Sequence, residues 1–223
     1  MGPIPNGSEE AVVTTVTRTS TCKKTSTGPS ALQSRKASSR IPKRSTNFNR
    51  LFIQLSLIAL VQSIEYVDTL FLGKCSVRVG MLVAKRNNSR FAFDIIDERS
   101  HRDLDAEGML LIALQQNGIA LVEVDNSIIN AEPMATNCMR IWTRRGPISD
   151  GTKTLVSQAL NERGILSIRN LGQMIGLRDP MASVCRLMCE GTVEIDLTQQ
   201  LDRNSLVKLV AGTVNPPQAG SFQ

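Results

Sequence analysis

Residues 77–124 constrain the fold of this chain more than any other stretch. Residues 77–84 (VRVGMLVA) alternate loosely and are apolar enough for a strand. Residues 85–90 (KRNNSR) form a polar turn in which Asn87 and Asn88 suit positive φ. Residues 91–97 (FAFDIID) read as a second strand, so the two predict a hairpin. Asp103, Leu104 and Asp105 then open a helix that continues through residues 106–116, with acids in the first turn where the helix dipole favours them. Asn117-Gly118 supplies a left-handed cap, and residues 119–124 (IALVEV) follow as a strand. Strand, helix and strand with links this short form a unit whose two strands run parallel. The spacing therefore predicts a β-β-α-β core of the α/β class.

Residues 51–64 (LFIQLSLIALVQSI) carry no charge over fourteen positions. A membrane span needs about 20, and Glu65 and Asp68 close the run. The polar stretch ahead is also long for a signal peptide. A buried helix leading into the core is expected, and a membrane is not. Residues 1–50 hold nine Lys/Arg against Glu9 and Glu10, a net of +7, whereas the other 173 residues hold seventeen against eighteen. This segment is rich in Ser, Thr, Pro and Gly and poor in large apolar residues, so it is expected to be a disordered basic tail. Such an arm either binds phosphate backbones non-specifically or is simply solvated. Residues 213–223 are expected to form a second disordered tail. One His excludes a multi-His metal site, and five Cys with no C-x-x-C pair argue against a disulfide framework. Reduced thiols in a cytoplasmic protein are expected.

Residues 146–149 break the pattern, which predicts a core over 51–145 and a second module over 150–212. Asp150 caps a helix over 151–163, and Gly164 closes it. Ser167 caps a second helix over 168–175. Asp179-Pro180 starts a third over 180–190. Residues 192–197 (TVEIDL) alternate as a strand, with residues 206–210 as partner. Three helices with a tight turn between the last two, then a hairpin, is the winged-helix order. The third helix would face DNA with Arg186, while Arg169, Arg178 and Arg203 would add phosphate contacts. A protein partner is the alternative use of that face.

Residues 110–145 (LLIALQQNGIALVEVDNSIINAEPMATNCMRIWTRR) carry Ile129, Pro133 and Asn137 in an I-x-x-x-P-x-x-x-N spacing after a helix and a strand. Residues 187–197 follow L-x-x-x-G-x-x-x-x-D-L. In both, the chain resembles TnsA-type transposon endonucleases, over about residues 77–210. The resemblance implies a restriction-endonuclease-like core followed by a winged helix, in a bacterial cytoplasmic protein. It implies DNA and a DDE transposase or other transposition protein as partners, and no small-molecule substrate.

Metal-dependent phosphodiester hydrolysis needs carboxylates to hold a hard cation such as Mg²⁺, and usually a Lys. Where the resemblance implies Asp in the first hairpin strand, this chain has Gly80. Where it implies an acid, any residue and Lys on the second, it has Asp97-Glu98-Arg99, with Asp97 the candidate metal ligand. Arg99 could clamp phosphate but cannot act as a base. Glu65 is the acid available on the leading helix. The expected site is therefore Glu65, Asp97 and Arg99, a degenerate set, with Mg²⁺ bound only if cleavage survives. Asp94 is expected on the opposite strand face from Asp97. Asp103, Asp105 and Glu107 read as helix-start acids, and Glu123 and Asp125 as a solvated strand end. Cys185 and Cys189 read as a partly buried pair. A TnsA-like DNA-binding protein with cleavage lost or impaired is the expected function. An active endonuclease and a winged-helix transcription regulator or adaptor stand as alternatives.

Overall fold

A computed structural model describes residues 31–211, a mixed α/β arrangement. Two short strands, β1 (Ala31–Leu32) and β2 (Ile41–Pro42), pair ahead of helix α1 (Thr46–Leu57). Strands β3 (Ser63–Leu72), β4 (Cys75–Arg86) and β5 (Ser89–Ile95) follow, then a 3-10 turn (Ile96–Glu98), helix α2 (Leu104–Gln116) and strand β6 (Ile119–Val124). Helices α3 (Asn126–Ile129) and α4 (Met134–Arg144) lead to α5 (Asp150–Arg163). Then come β7 (Ile165–Ser167), α6 (Ile168–Met174), α7 (Pro180–Cys189), β8 (Val193–Ile195) and β9 (Leu206–Leu209).

The larger sheet has the order β3-β4-β5-β6, antiparallel except for the parallel β5/β6 pair across α2. Its faces follow from period-2 alternation. On β4, Met81 and Val83 pack with Leu110, Ala113 and Leu114 of α2, while Leu82 and Ala84 face the core that holds α1. The expected hairpin is present, but its turn tightens to Asn87-Asn88, with Asn87 at φ 54°. Its second strand stops at Ile95 instead of Asp97.

Strand β3 was not anticipated. The apolar run at 51–64 divides: the helix ends at Leu57 and Ile64 already lies in the strand. Residues 63–72 (SIEYVDTLFL) are rich in β-branched and aromatic side chains, and β4 offers them a partner from Ser63↔Lys85 onward. Among the described residues no helix is long and apolar enough to cross a membrane.

The tail is shorter than expected. Residues 31–50 belong to the fold: Ile41 is wholly buried, Phe48 is buried, and Ser45 caps α1 by accepting from Phe48 N. The open edge of β3 explains why so polar a segment is ordered, because an uncovered strand edge leaves backbone groups unpaired. Ala37 bridges Ile64 in parallel, Ser38 N donates to Ile64 O at 2.9 Å, and Ile64 N donates to Lys36 O at 2.7 Å. Of the nine basic residues counted in 1–50, six (Arg35, Lys36, Arg40, Lys43, Arg44 and Arg50) therefore sit on the folded body. The disorder expected for 1–30 and 213–223 lies outside the described residues.

In the C-terminal half, β7, β9 and β8 form a three-stranded antiparallel sheet in that order. β7, only three residues long, carries too little pattern to be seen in sequence. Ser149 rather than Asp150 caps α5, accepting from Thr152 N, and Asp150 takes the first turn. Gly172 is required by packing: a Cβ there would stand 2.6 Å from Pro180 Cγ, where α6 meets α7.

The break at 146–149 does not separate two cores. One buried cluster runs from Ile41 and Phe52 through Ile141 to Val184, Leu187 and Val207. α7 packs against α4 and α1, and Trp142 meets Phe52 edge-on at 5.9 Å. Asn137, 1% exposed, clasps the far loop: Nδ2 donates to Leu197 O (3.0 Å) and Gln199 O (2.7 Å), and Oδ1 accepts from Leu201 N (3.1 Å). Removing it leaves two buried backbone groups, Leu197 O and Leu201 N, and the part-buried Gln199 O without this partner. Asn137→Ala should cost about 3 kcal/mol, read as a lower urea midpoint. Unfolding should remain one transition, with Trp142 fluorescence and far-UV circular dichroism coincident. Two separated transitions would show that the halves fold independently.

Candidate nucleic-acid interface

β4 and β5 part company after the pair Leu82↔Phe93. Residues 75–81 of β4 thus have a strand neighbour only in β3, and the divergence opens a cleft of about 1050 Å³. Arg44, Tyr66, Arg78, Asp94, Arg99 and Arg102 are among the side chains lining it.

Asp94 forms the floor. It lies on β5, with its side chain only 5% exposed. A carboxylate this buried must be compensated. Arg102 reaches Oδ2 at 2.8 Å and Oδ1 at 3.4 Å through its two amino groups, and Arg99 approaches Oδ2 at 3.4 Å. The parallel register sets Glu123 of β6 beside Asp94, and Arg99 reaches it at 2.6 Å. Glu123 first, then Asp94, raises the Arg99 guanidinium above its ordinary range. At Arg102 burial works against the charge, but the bonds to Asp94 and Glu107 outweigh it and the shift is upward.

Arg44 forms one wall, delivered by the segment ahead of α1. Its NH1 donates to Tyr66 Oη and to Gly80 O, each at 3.0 Å. Its guanidinium lies 5.7 Å from the Phe48 ring centre and 5.6 Å from that of Tyr66. Gly80 sits at φ 65°, and a Cβ there would stand 3.5 Å from Arg44 NH1. Burial raises the Tyr66 hydroxyl above its usual range against the opposing pull of Arg44, and that hydroxyl donates to Asp68 Oδ1 at 3.2 Å. Ser45 Oγ donates to Glu98, which also lines the cleft.

The residues expected to form a catalytic set are not brought together. Glu65 stands on β3, not on a helix, and is bound to Arg90 at 2.5 Å, at the start of β5. Asp97 lies past the other end of β5, in the 3-10 turn, and its Oδ2 accepts from Asn126 N at 2.9 Å. It therefore anchors the start of α3. Because the chain leaves the strand at Ile95, the two-residue spacing that was to align Asp97 with Arg99 does not apply. Arg99 does reach the cleft, but its partners are Asp94 and Glu123. Mg²⁺ does not fit these donors. Asp94, Asp97 and Glu65 are each claimed by arginine or backbone, Gly80 offers only a carbonyl that Arg44 already uses, and among the described residues no three His, Cys, Asp or Glu side chains cluster to hold a metal. Asp94, Arg102 and Arg44 were missed. The one available signal was Asp94 itself, a charge with apolar neighbours on both sides in a strand.

The four arginines of the C-terminal half divide. α7 turns inward: no residue from 180 to 190 is exposed. Arg186, its side chain 41% exposed, is taken by Glu190 at 2.7 Å, which also binds Lys153 at 3.3 Å, so the one arginine of this helix is already paired. Arg169, Arg178 and Arg203 are exposed. Arg169 N donates to Arg203 O at 2.8 Å, which sets those two residues side by side.

The sequence matches no family model and no curated protein.

Three of the described thiols, Cys138, Cys185 and Cys189, are held unreactive by burial. Burial pushes Cys138 up to about 12 and Cys185 to about 11. Burial likewise lifts Cys189 to about 11, against the pull of Arg145 and Arg186. At pH 8 roughly one in a thousand of the Cys185 and Cys189 thiols is thiolate, and fewer at Cys138. Peptide mapping after brief maleimide treatment at pH 8 should find exposed Cys75 labelled, and the other three labelled only in denaturant.

Proposed function

We propose that this chain is a TnsA-like DNA-binding protein that acts with a DDE transposase and holds DNA without cutting it. The observation that carries this reading is the state of Asp94: the buried acid in the cleft is spent on Arg99 and Arg102. Charges so arranged suit a phosphodiester better than a metal ion. The order β4-β5-α2-β6 supports a restriction-endonuclease-like core, because it supplies the expected β-β-α-β succession with the last pair parallel. The succession of α5, α6 and α7, followed by the β8/β9 pair, supports a winged-helix module. In that module α7 serves the core, so phosphate contacts fall to Arg169, Arg178 and Arg203. A regulator that reads a groove with its third helix is correspondingly disfavoured, as is an active nuclease whose acids are all engaged.

The test uses the full chain with supercoiled plasmid and linear duplex in Mg²⁺ or Mn²⁺. Binding without nicking is expected, with log K falling linearly in log salt. Residues 1–30 carry three basic residues (Arg18, Lys23 and Lys24) against Glu9 and Glu10, a net of only +1. Deleting them should change the salt slope by no more than about one. The transposase is expected to raise affinity for transposon-end DNA. Metal-dependent nicking abolished by Asp94→Ala, with the fold intact by circular dichroism, would return the active-nuclease reading.

A further inference from the structure

Arg44 lines the cleft between β4 and β5, and we infer that it is the cleft's built-in cation: a phosphate clamp that works without metal, with Arg78 beside it. The inference rests on the nucleic-acid reading above and names how that site holds its ligand. A phosphodiester entering a cleft needs a counter-charge. A cleft with free carboxylates borrows one from a metal ion. Here the three acids lining the cleft are all engaged: Asp68 by the Tyr66 hydroxyl, Asp94 by two arginines, and Glu98 by Ser45. Arg99 and Arg102 are held by Asp94, Glu123 and Glu107, so among the described residues the cleft cations outside any salt bridge are Arg44 and Arg78.

Arg44 is prepared for the task. A guanidinium has five N–H donors. Both protons of NH1 are used, on Tyr66 Oη and Gly80 O, which fixes the plane. Nε and NH2 remain, the edge of the fork that matches two phosphate oxygens. Phe48 and Tyr66, whose rings meet each other edge-on with centres 6.0 Å apart, both flank the group and limit the side-chain freedom left to lose on binding. Gly80 completes the device. It stands where the resemblance implies an aspartate. A Cβ there would stand in ordinary contact, 3.5 Å from NH1, but the positive φ disfavours any side chain. The glycine offers no carboxylate, and its carbonyl receives the guanidinium. The aromatic faces are taken by Arg44 itself, so the cleft reads phosphate and not base, and its binding is independent of sequence.

The test is fluorescence anisotropy of a labelled 30-base-pair duplex at constant ionic strength, in EDTA and in Mg²⁺, paired with calorimetry of inorganic pyrophosphate in EDTA. The dissociation constant should agree within about twofold between EDTA and Mg²⁺. Arg44→Ala should weaken both ligands about tenfold, and Arg44→Lys less, because it keeps the charge and loses the fork. Arg78→Ala removes a cleft cation that touches the fold only through its charge beside Tyr66, so its loss of binding is not a folding effect. Tenfold tightening by Mg²⁺, or wild-type binding in both alanine variants, overturns the clamp while leaving DNA binding in place. Arg44-dependent pyrophosphate binding without duplex binding leaves the clamp standing and removes the DNA reading. Binding of neither ligand removes both.

Discussion

The packing of α7 against α4 and α1 is the contact on which the rest of this structure depends. The small sheet has three strands of three or four residues and cannot bury enough apolar surface to stand alone. The large sheet has an α1 face that needs cover. Val184, Leu187 and Met188 of α7 meet Ile141 and Phe52 in a single core and satisfy both requirements. Asn137 adds a buried polar link, and its three hydrogen bonds orient the loop leading into the last strand. A helix committed to such a core keeps only a narrow outer face, where Arg186 pairs with Glu190 one turn on.

The same economy of burial shapes the cleft. A carboxylate in a β-strand, flanked by apolar residues, is expensive unless it is neutralised. Asp94 recruits Arg99 and Arg102, and Glu123 on the neighbouring strand holds Arg99 in place. Two guanidinium groups are thereby fixed at the end of β5, just where β4 and β5 separate. Arg44 reaches the opposite wall from a segment that also seals the β3 edge. Arg44, Arg99 and Arg102 thus stand in the cleft through two structural needs, compensating a buried acid and covering a strand edge.

Local signals in the sequence were sufficient for the hairpin, the crossover helix α2 with its Asp103 cap, the parallel β6, and the three later helices with their glycine stops. Each rests on side-chain periodicity or on a capping residue within four positions, which are properties of the chain itself. The ends of elements were less legible. β3 hid inside an apolar run because residues 58–64 carry no turn signal, and the pairing with β4 decided the division. Residues 31–50 looked like solvated tail because Ile41 and Phe48 are isolated, yet each is worth burying once a sheet edge is there to receive it.

The candidate site was legible only in part. Gly80 and Arg99, singled out in the sequence where the resemblance implies an acid and a lysine, both line the cleft. Asp97 and Glu65 were assigned to it because sequence spacing assumes that a strand continues, and the strand ends at Ile95. Composition and periodicity determined most of the elements and the α/β class, because those depend on near neighbours. Which face of α7 is buried, which acid lies on the cleft floor and where Arg44 points were decided by tertiary structure, because each depends on charges and surfaces that meet only when distant segments pack.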